Sequence, residues 1–281
     1  MADRASGVRE IVLLTLGWEH LPKRVSVEGA PDGERVVCPV PGILLLCDGG
    51  WVLLDTGFNT ALIRDAALRR RFYGDPIYSV VLPGQGEPLE EALAFAGVDI
   101  AAIKAVGLSH LHVDHAGGLK HFVGVPIHAQ RREVEYGLSG HPEPERNAIH
   151  RIDFDDPRHD WRLADGDVEI APGVTALSTP GHTPGHQSFV VDLDESVGGG
   201  GFVFAFDAAD LTENIEDEVS VGGRINATPE EAVEQIRRLK SVASQRGYPL
   251  VPGHDPVVWP TLSRDLLGRF PARAPAVAQA V

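Results

Sequence analysis

Cysteine is nearly absent: Cys38 and Cys47 are the only two in 281 residues. Two thiols in so long a chain do not make a disulfide framework, and they read as reduced side chains in or near strands. Long apolar runs are missing too. Ile11 to Leu16 is too short for a spanning helix or a signal h-region, and the acidic Asp3 and Glu10 contradict the basic start of a signal. The cytoplasm is therefore the default compartment. Basic side chains are outnumbered, 25 against 40 acidic, for a formal charge of −15. A surface that acidic disfavours a nucleic-acid backbone, which is held by Lys and Arg, and equally an anionic membrane. Neither nucleic acid nor membrane is expected as a partner, and composition does not decide whether the chain forms a homodimer.

Against these absences stands one dense motif. Ser109-His110-Leu111-His112-Val113-Asp114-His115-Ala116-Gly117-Gly118 sets three imidazoles and a carboxylate within six positions. Metal-free, such a cluster would crowd titrating groups without compensation. His110 and His112 project the same way from an extended backbone, and Asp114 and His115 turn toward a second position. Later candidates are His182 and His254, each on a Pro-Gly-His turn, and Asp207 after the apolar run Phe202 to Phe206. His110, His112 and His182 make one three-imidazole set. Asp114, His115 and His254 make a second, and Asp207 can bridge both. Cysteine is missing from the set, which argues against a closed structural zinc and for one that activates water. Two zinc ions per chain are the expectation.

The pattern His-x-His-x-Asp-His at 110 to 115 resembles the signature of the metallo-β-lactamase-fold superfamily, whose later ligands would fall on His182, Asp207 and His254. Within it the chain is most similar to the N-acyl-homoserine lactone lactonases. That likeness rests on Gln130-Arg131-Arg132-Glu133, on Pro180-Gly181-His182-Thr183-Pro184-Gly185-His186-Gln187-Ser188, and on Glu213-Asn214 and Glu216-Asp217-Glu218-Val219. It runs from about Pro41 to about Pro256. The resemblance implies an α+β, four-layer αββα sandwich and hydrolysis of a lactone ester. One departure stands out. Where those lactonases usually carry a tyrosine, three residues past the bridging aspartate, this chain has Asp210. A carboxylate there repels a developing oxyanion unless it is protonated or turned away.

The rest of the chain supports a scaffold for such a site. Strands are expected at Ile11 to Leu16, Gly42 to Leu46, Trp51 to Leu54, Ile103 to Leu108, Val125 to Ala129, Asp167 to Ile170, Val174 to Ser178, Gln187 to Asp192, Gly201 to Phe206 and Pro249 to Val251. Phe58 to Arg71 and Leu89 to Ala96 have helical spacing. Thr228-Pro229-Glu230-Glu231 is a capping box that opens a helix burying Val233, Ile236, Leu239 and Val242 and stopping near Gly247. The Asp55-Thr56-Gly57 corner is either an ordinary turn or a support for the metal ligands. His186 either orients neighbours of the ligands or packs under the Pro-Gly turns. Gly137 to Asp167 reads as an irregular solvated excursion, or else as a loop or helical insert covering the site, with Ile149, Phe154 and Trp161 supplying an apolar wall. His141, His150 and His159, within it, are not counted as ligands. Gly198 to Gly201 is a hairpin loop, lacking the helix and Lys of a phosphate loop. With 43% hydrophobic residues and ligands spread from 110 to 254, the chain is expected to be a single hydrolase domain over 1–281.

The expected chemistry is hydrolytic. Two cations bring the pKa of a shared water down to about 7. The bridging hydroxide attacks the lactone carbonyl, and Asp114 carries its proton to the leaving alkoxide. The alternatives are another lactone or ester, a thioester as in glyoxalase II-like relatives, or a β-lactam. A non-catalytic metal-binding sensor is the rival of another class, and a complete set of seven ligands speaks against it.

Overall fold

The computed structural model describes residues 7–74 and 79–269. Asp3 and the ends of the 1–281 span lie outside the described residues. Among the described residues twelve strands form two sheets. The first contains β1 (Glu10–Pro22), β2 (Arg35–Cys47), β3 (Gly50–Leu54), β4 (Ser79–Val81), β5 (Ile103–Gly107), β6 (Pro126–Gln130) and β7 (Asp160–Ala164), in the order β4-β1-β2-β3-β5-β6-β7. The second contains β8 (Val168–Ala171), β9 (Val174–Ser178), β10 (Gln187–Asp192), β11 (Gly201–Phe206) and β12 (Leu250–Pro252), in the order β12-β11-β10-β9-β8.

Side-chain alternation decides how the layers stack. In β1, Ile11 and Leu13 face a core shared with Phe189, Val191, Phe204 and Phe206 of the second sheet. Val12, Leu14 and Leu16 point the other way, onto helical residues such as Leu62, Leu89 and Leu93. On the far face of the second sheet, Val190, Val203 and Ala205 pack on Ile236, Leu239 and Ala243 of the helix Pro229–Arg246. Each sheet is thus apolar on both faces, and the result is the αββα, α+β architecture expected. The helix begins where its capping box places it, with Thr228 accepting from Glu231 N and Glu231 from Thr228 N, and it ends at Gly247 with φ 68°. Among the described residues no helix is long and apolar enough to cross a membrane.

Four expectations need correction. β2 begins not at Gly42 but at Arg35. β1 does not stop at Leu16 but continues to Pro22, through a register shift between Thr15 and Gly17. A bulge re-aims the residues beyond it, and Glu19 and Leu21 consequently face the cleft described below. Phe58 to Arg71 is not one helix. It breaks at Asp65, whose carboxylate caps Ala67 N and Leu68 N of a second helix, Ala66–Phe72. The excursion from Gly137 to Asp167 contains the helices Glu143–Arg146 and Arg151–Phe154 and the strand β7, which extends the first sheet beside β6.

That insert is anchored by a buried acid. Asp153 accepts from Tyr73 Oη at 2.7 Å and from Asn59 Nδ2 at 3.0 Å. Burial raises its pKa from 3.8 to about 6 against those two bonds. The folded state therefore holds this proton to higher pH, so the stabilisation is full below the unfolded pKa and is lost as pH rises through about 6. The loss amounts to about 3 kcal/mol. Asp153→Asn cannot titrate, so urea unfolding should show it gaining up to that amount relative to wild type between about pH 4 and about pH 7. A difference constant with pH would contradict this reading.

Candidate metal centre

The site lies where several strands end on one edge of both sheets. β3 and β5 run parallel, so Asp55 and Ser109 emerge side by side. β11 and β12 also run parallel, bringing Asp207 next to His254. The loop from β9 to β10 carries His182 and His186. After His112 the short helix Val113–Ala116 turns the chain, and that turn directs Asp114 and His115 to a different point from His110 and His112.

All seven predicted ligands converge. His112 Nδ1 lies 2.9 Å from His110 Nε2 and 2.8 Å from His182 Nε2. Asp207 Oδ2 is 3.8 Å from His110 Nε2 and 3.4 Å from His182 Nε2. Its Oδ1 is 3.2 Å from His115 Nε2 and 3.0 Å from His254 Nε2. Asp114 Oδ2 sits 2.9 Å from His115 Nε2 and 3.9 Å from His254 Nε2. The two oxygens of Asp207 therefore face two separate groups of nitrogens, as a bridge requires.

The outer ring atoms reveal what the inner ones carry. His115 Nδ1 donates to Asp55 Oδ2 at 2.6 Å, and His254 Nδ1 donates to the Pro39 carbonyl at 2.9 Å. Ser109 Oγ gives its one hydrogen to Asp55 Oδ2 at 2.6 Å, so it accepts from His110 Nδ1 at 2.9 Å. In its neutral form each of these imidazoles turns a lone pair inward; His254 Nε2, 3.0 Å from Asp207 Oδ1, bonds that oxygen only by carrying a proton. His115 Nε2, fully buried, has no hydrogen-bond partner among the described residues. Lone pairs and carboxylate oxygens aimed at one another repel unless positive charge lies between them. The donor set of imidazole nitrogen and carboxylate oxygen, without thiolate, fits a divalent cation used for hydrolysis.

Charge divides the junction in two. Burial and neighbouring imidazoles hold His110 and His182 well below the usual histidine range. At His115 burial also disfavours the charge, but Asp114 and Asp207 outweigh it and push the pKa well up. His254 rises to about 10, since Asp207 overcomes burial. Asp207 is held well below its usual value despite burial, because His115, His254, His110 and His182 surround it. One half is imidazole-rich and stays neutral; the other draws positive charge.

Two acids outside the ligand set hold the loops. Asp55 also accepts from Ser109 N at 2.7 Å, which fixes the supporting role that the Asp-Thr-Gly corner allowed. It sits at φ 57°, a left-handed conformation costing about 1–3 kcal/mol for such a residue. Glu133, fully buried, was not singled out from the sequence. It accepts from Leu111 N at 3.0 Å and from Thr183 Oγ1 and Gly185 N at 2.8 Å each, so one carboxylate ties the His110–His112 loop to the His182 loop. Gly185 has no room for a Cβ against the Glu133 backbone. Glycines 117 and 118 pass closest to the Asp55–Asn59 corner rather than to the ligands, and a Cβ on Gly117 would strike Asn59 N. His186 gives Nδ1 to Thr179 Oγ1 at 2.9 Å, and its ring packs 5.3 Å from His110.

Five of the seven, His112, Asp114, His182, Asp207 and His254, line a cleft of about 530 Å³. The insert does border it, but not through the expected wall. Ile149 and Phe154 are buried in the core beneath and Trp161 packs against that core, while Asn147, Ala148 and His150 face the opening. His141, His150 and His159 stay out of the ligand groups; His159 is spent on the carbonyls of Phe154 and Leu119. Asp210 and Glu19 also line the cleft. Glu19 had a faint signal, a charge beyond an apolar strand run.

The family model of the metallo-beta-lactamase superfamily matches residues 36–254. The chain belongs to the metallo-β-lactamase superfamily. Among its relatives in that superfamily is an N-acyl homoserine lactonase of Bacillus thuringiensis, 33% identical over 79% of this chain and 84% of that one. The lactonase AttM of Azorhizobium caulinodans is 29% identical over 83% and 88%. An N-acyl homoserine lactone hydrolase solved with the product N-hexanoyl-L-homoserine bound at its catalytic metal center superposes with a TM-score of 0.76, at 30% identity, over 89% of this chain and 94% of that one.

Glu133→Ala would leave three buried donors without an acceptor. We expect it to lower stability by about 3 kcal/mol or more in urea and to weaken zinc binding about 10- to 100-fold in chelator competition. Unchanged unfolding and unchanged zinc affinity would contradict the tie between the two loops.

Proposed function

We propose that this superfamily member is a di-zinc lactonase that opens the ring of N-acyl homoserine lactones, a single hydrolase domain over 1–281 working in the cytoplasm on a small molecule. The observation that carries the reading is the convergence of seven inward-facing donors beneath an open cleft. The lactonase relatives support the choice of substrate. His110, His112 and His182 would hold one ion, Asp114, His115 and His254 the other, with Asp207 between them. Bound there, such ions supply a nucleophilic water at neutral pH and polarise the ester carbonyl.

The chain's own groups complete the chemistry. Leu21, Val25, Val113 and Ile225 give the cleft apolar surface for an acyl chain. Asp114 turns Oδ2 toward His115 and His254, which leaves Oδ1 to take a proton from the attacking water and return it to the ring oxygen. Asp55 and Glu133 keep the ligand loops from relaxing apart as charge moves. Hydrolysis of a different lactone, ester or thioester is the second reading, favoured by the carboxylate of Asp210 where lactonases usually present a phenol.

Purified protein loaded with two equivalents of zinc should convert N-hexanoyl and longer homoserine lactones to the open acids, followed by chromatography. Chelation should cut the rate by at least about a hundredfold, as expected for a cation worth several kcal/mol to the transition state, and zinc should restore it. Asp114→Asn should weaken the second zinc, and should lower kcat by about 10²- to 10⁴-fold even at zinc concentrations that fill both positions. Turnover of thioesters or other lactones without any homoserine lactone would favour the second reading.

A further inference from the structure

Asp210 has no task in the reading above, yet it is placed with care. It closes the turn that follows Asp207, and its carbonyl accepts from His254 N at 2.8 Å while Ala209 O accepts from Gly253 N at 2.9 Å. The side chain is 5% exposed. The buried Oδ1 has no hydrogen-bond partner among the described residues. A carboxylate oxygen of Asp210 lies within 4.8 Å of ligand atoms of both Asp207 and His254. An unpartnered buried carboxylate beside a reacting ester would oppose the developing oxyanion; engaged by a cation, it would not.

We infer that Asp210 is an additional carboxylate ligand of the cation held by Asp114, His115 and His254, an inference that rests on the metal centre proposed above. That half of the centre then has three carboxylates, counting Asp207, against two imidazoles. The other half has three imidazoles and Asp207. Oxygen-rich sets suit Mn²⁺ better than imidazole-rich ones do, so the two positions differ in metal preference.

The test titrates metal-stripped wild type and Asp210→Asn with Zn²⁺ and with Mn²⁺ against a chromophoric chelator, with Asp210→Ser as a second variant. Wild type should take two equivalents, the second holding Mn²⁺ better than the first position does. In the variants the first zinc should bind as in wild type, which also reports the fold. Affinity for the second equivalent should fall at least about tenfold, and more for Mn²⁺ than for Zn²⁺. Two equivalents bound by both variants with wild-type affinity for both metals would overturn the assignment of Asp210 alone. Wild type that takes up no metal would overturn it together with the centre on which it rests.

Discussion

Five imidazoles and two carboxylates share a junction in which their lone pairs point at one another, and mutual repulsion there is the constraint that the surrounding structure serves. Left to themselves the groups would separate or take up protons, and the elevated pKa of His115 and His254 is the form that response takes. Divalent cations answer the same need with more charge and a fixed geometry. Cations held by these residues would supply the Lewis acidity that activates water.

Holding the donors in place falls to groups that never approach a substrate. Asp55 adopts a left-handed backbone to collect Ser109 and His115, and Phe206 does the same, φ 48°, one residue before Asp207. Such conformations persist only where neighbours over-determine them. Here the parallel pairs β3–β5 and β11–β12 supply that rigidity, and Glu133 joins two ligand loops that are 70 residues apart in sequence, from His112 to His182. The sandwich is thus less a container for the centre than a frame that sets its strand ends in register.

Much of this was legible in the sequence, for physical reasons. His110, His112, Asp114 and His115 are ligand types at a spacing that an extended stretch and one helical turn convert into two directions. The capping box at Thr228 and the glycine stop at Gly247 are local signals, and they fixed the longest helix. What escaped notice depends on long-range contact. Glu133 looks like a surface charge in Arg131-Arg132-Glu133 until the fold lays two loops over it. Glu19 faces the cleft only because a bulge shifts β1. Strand β7 was hidden because Asp160 to Ala164 forms a partly exposed edge without a clean alternation. Asp65 splits a helix that periodicity alone makes continuous, since Asp caps a helix better than it continues one.

Every functional statement depends on paired cations at this junction. Anomalous diffraction from crystals of the zinc-loaded protein tests that most directly. The account predicts two peaks, one among His110, His112 and His182 and one among Asp114, His115 and His254, both within reach of Asp207. No peak at the junction, or a single one with the second set of donors bonded only to protons and each other, would contradict it.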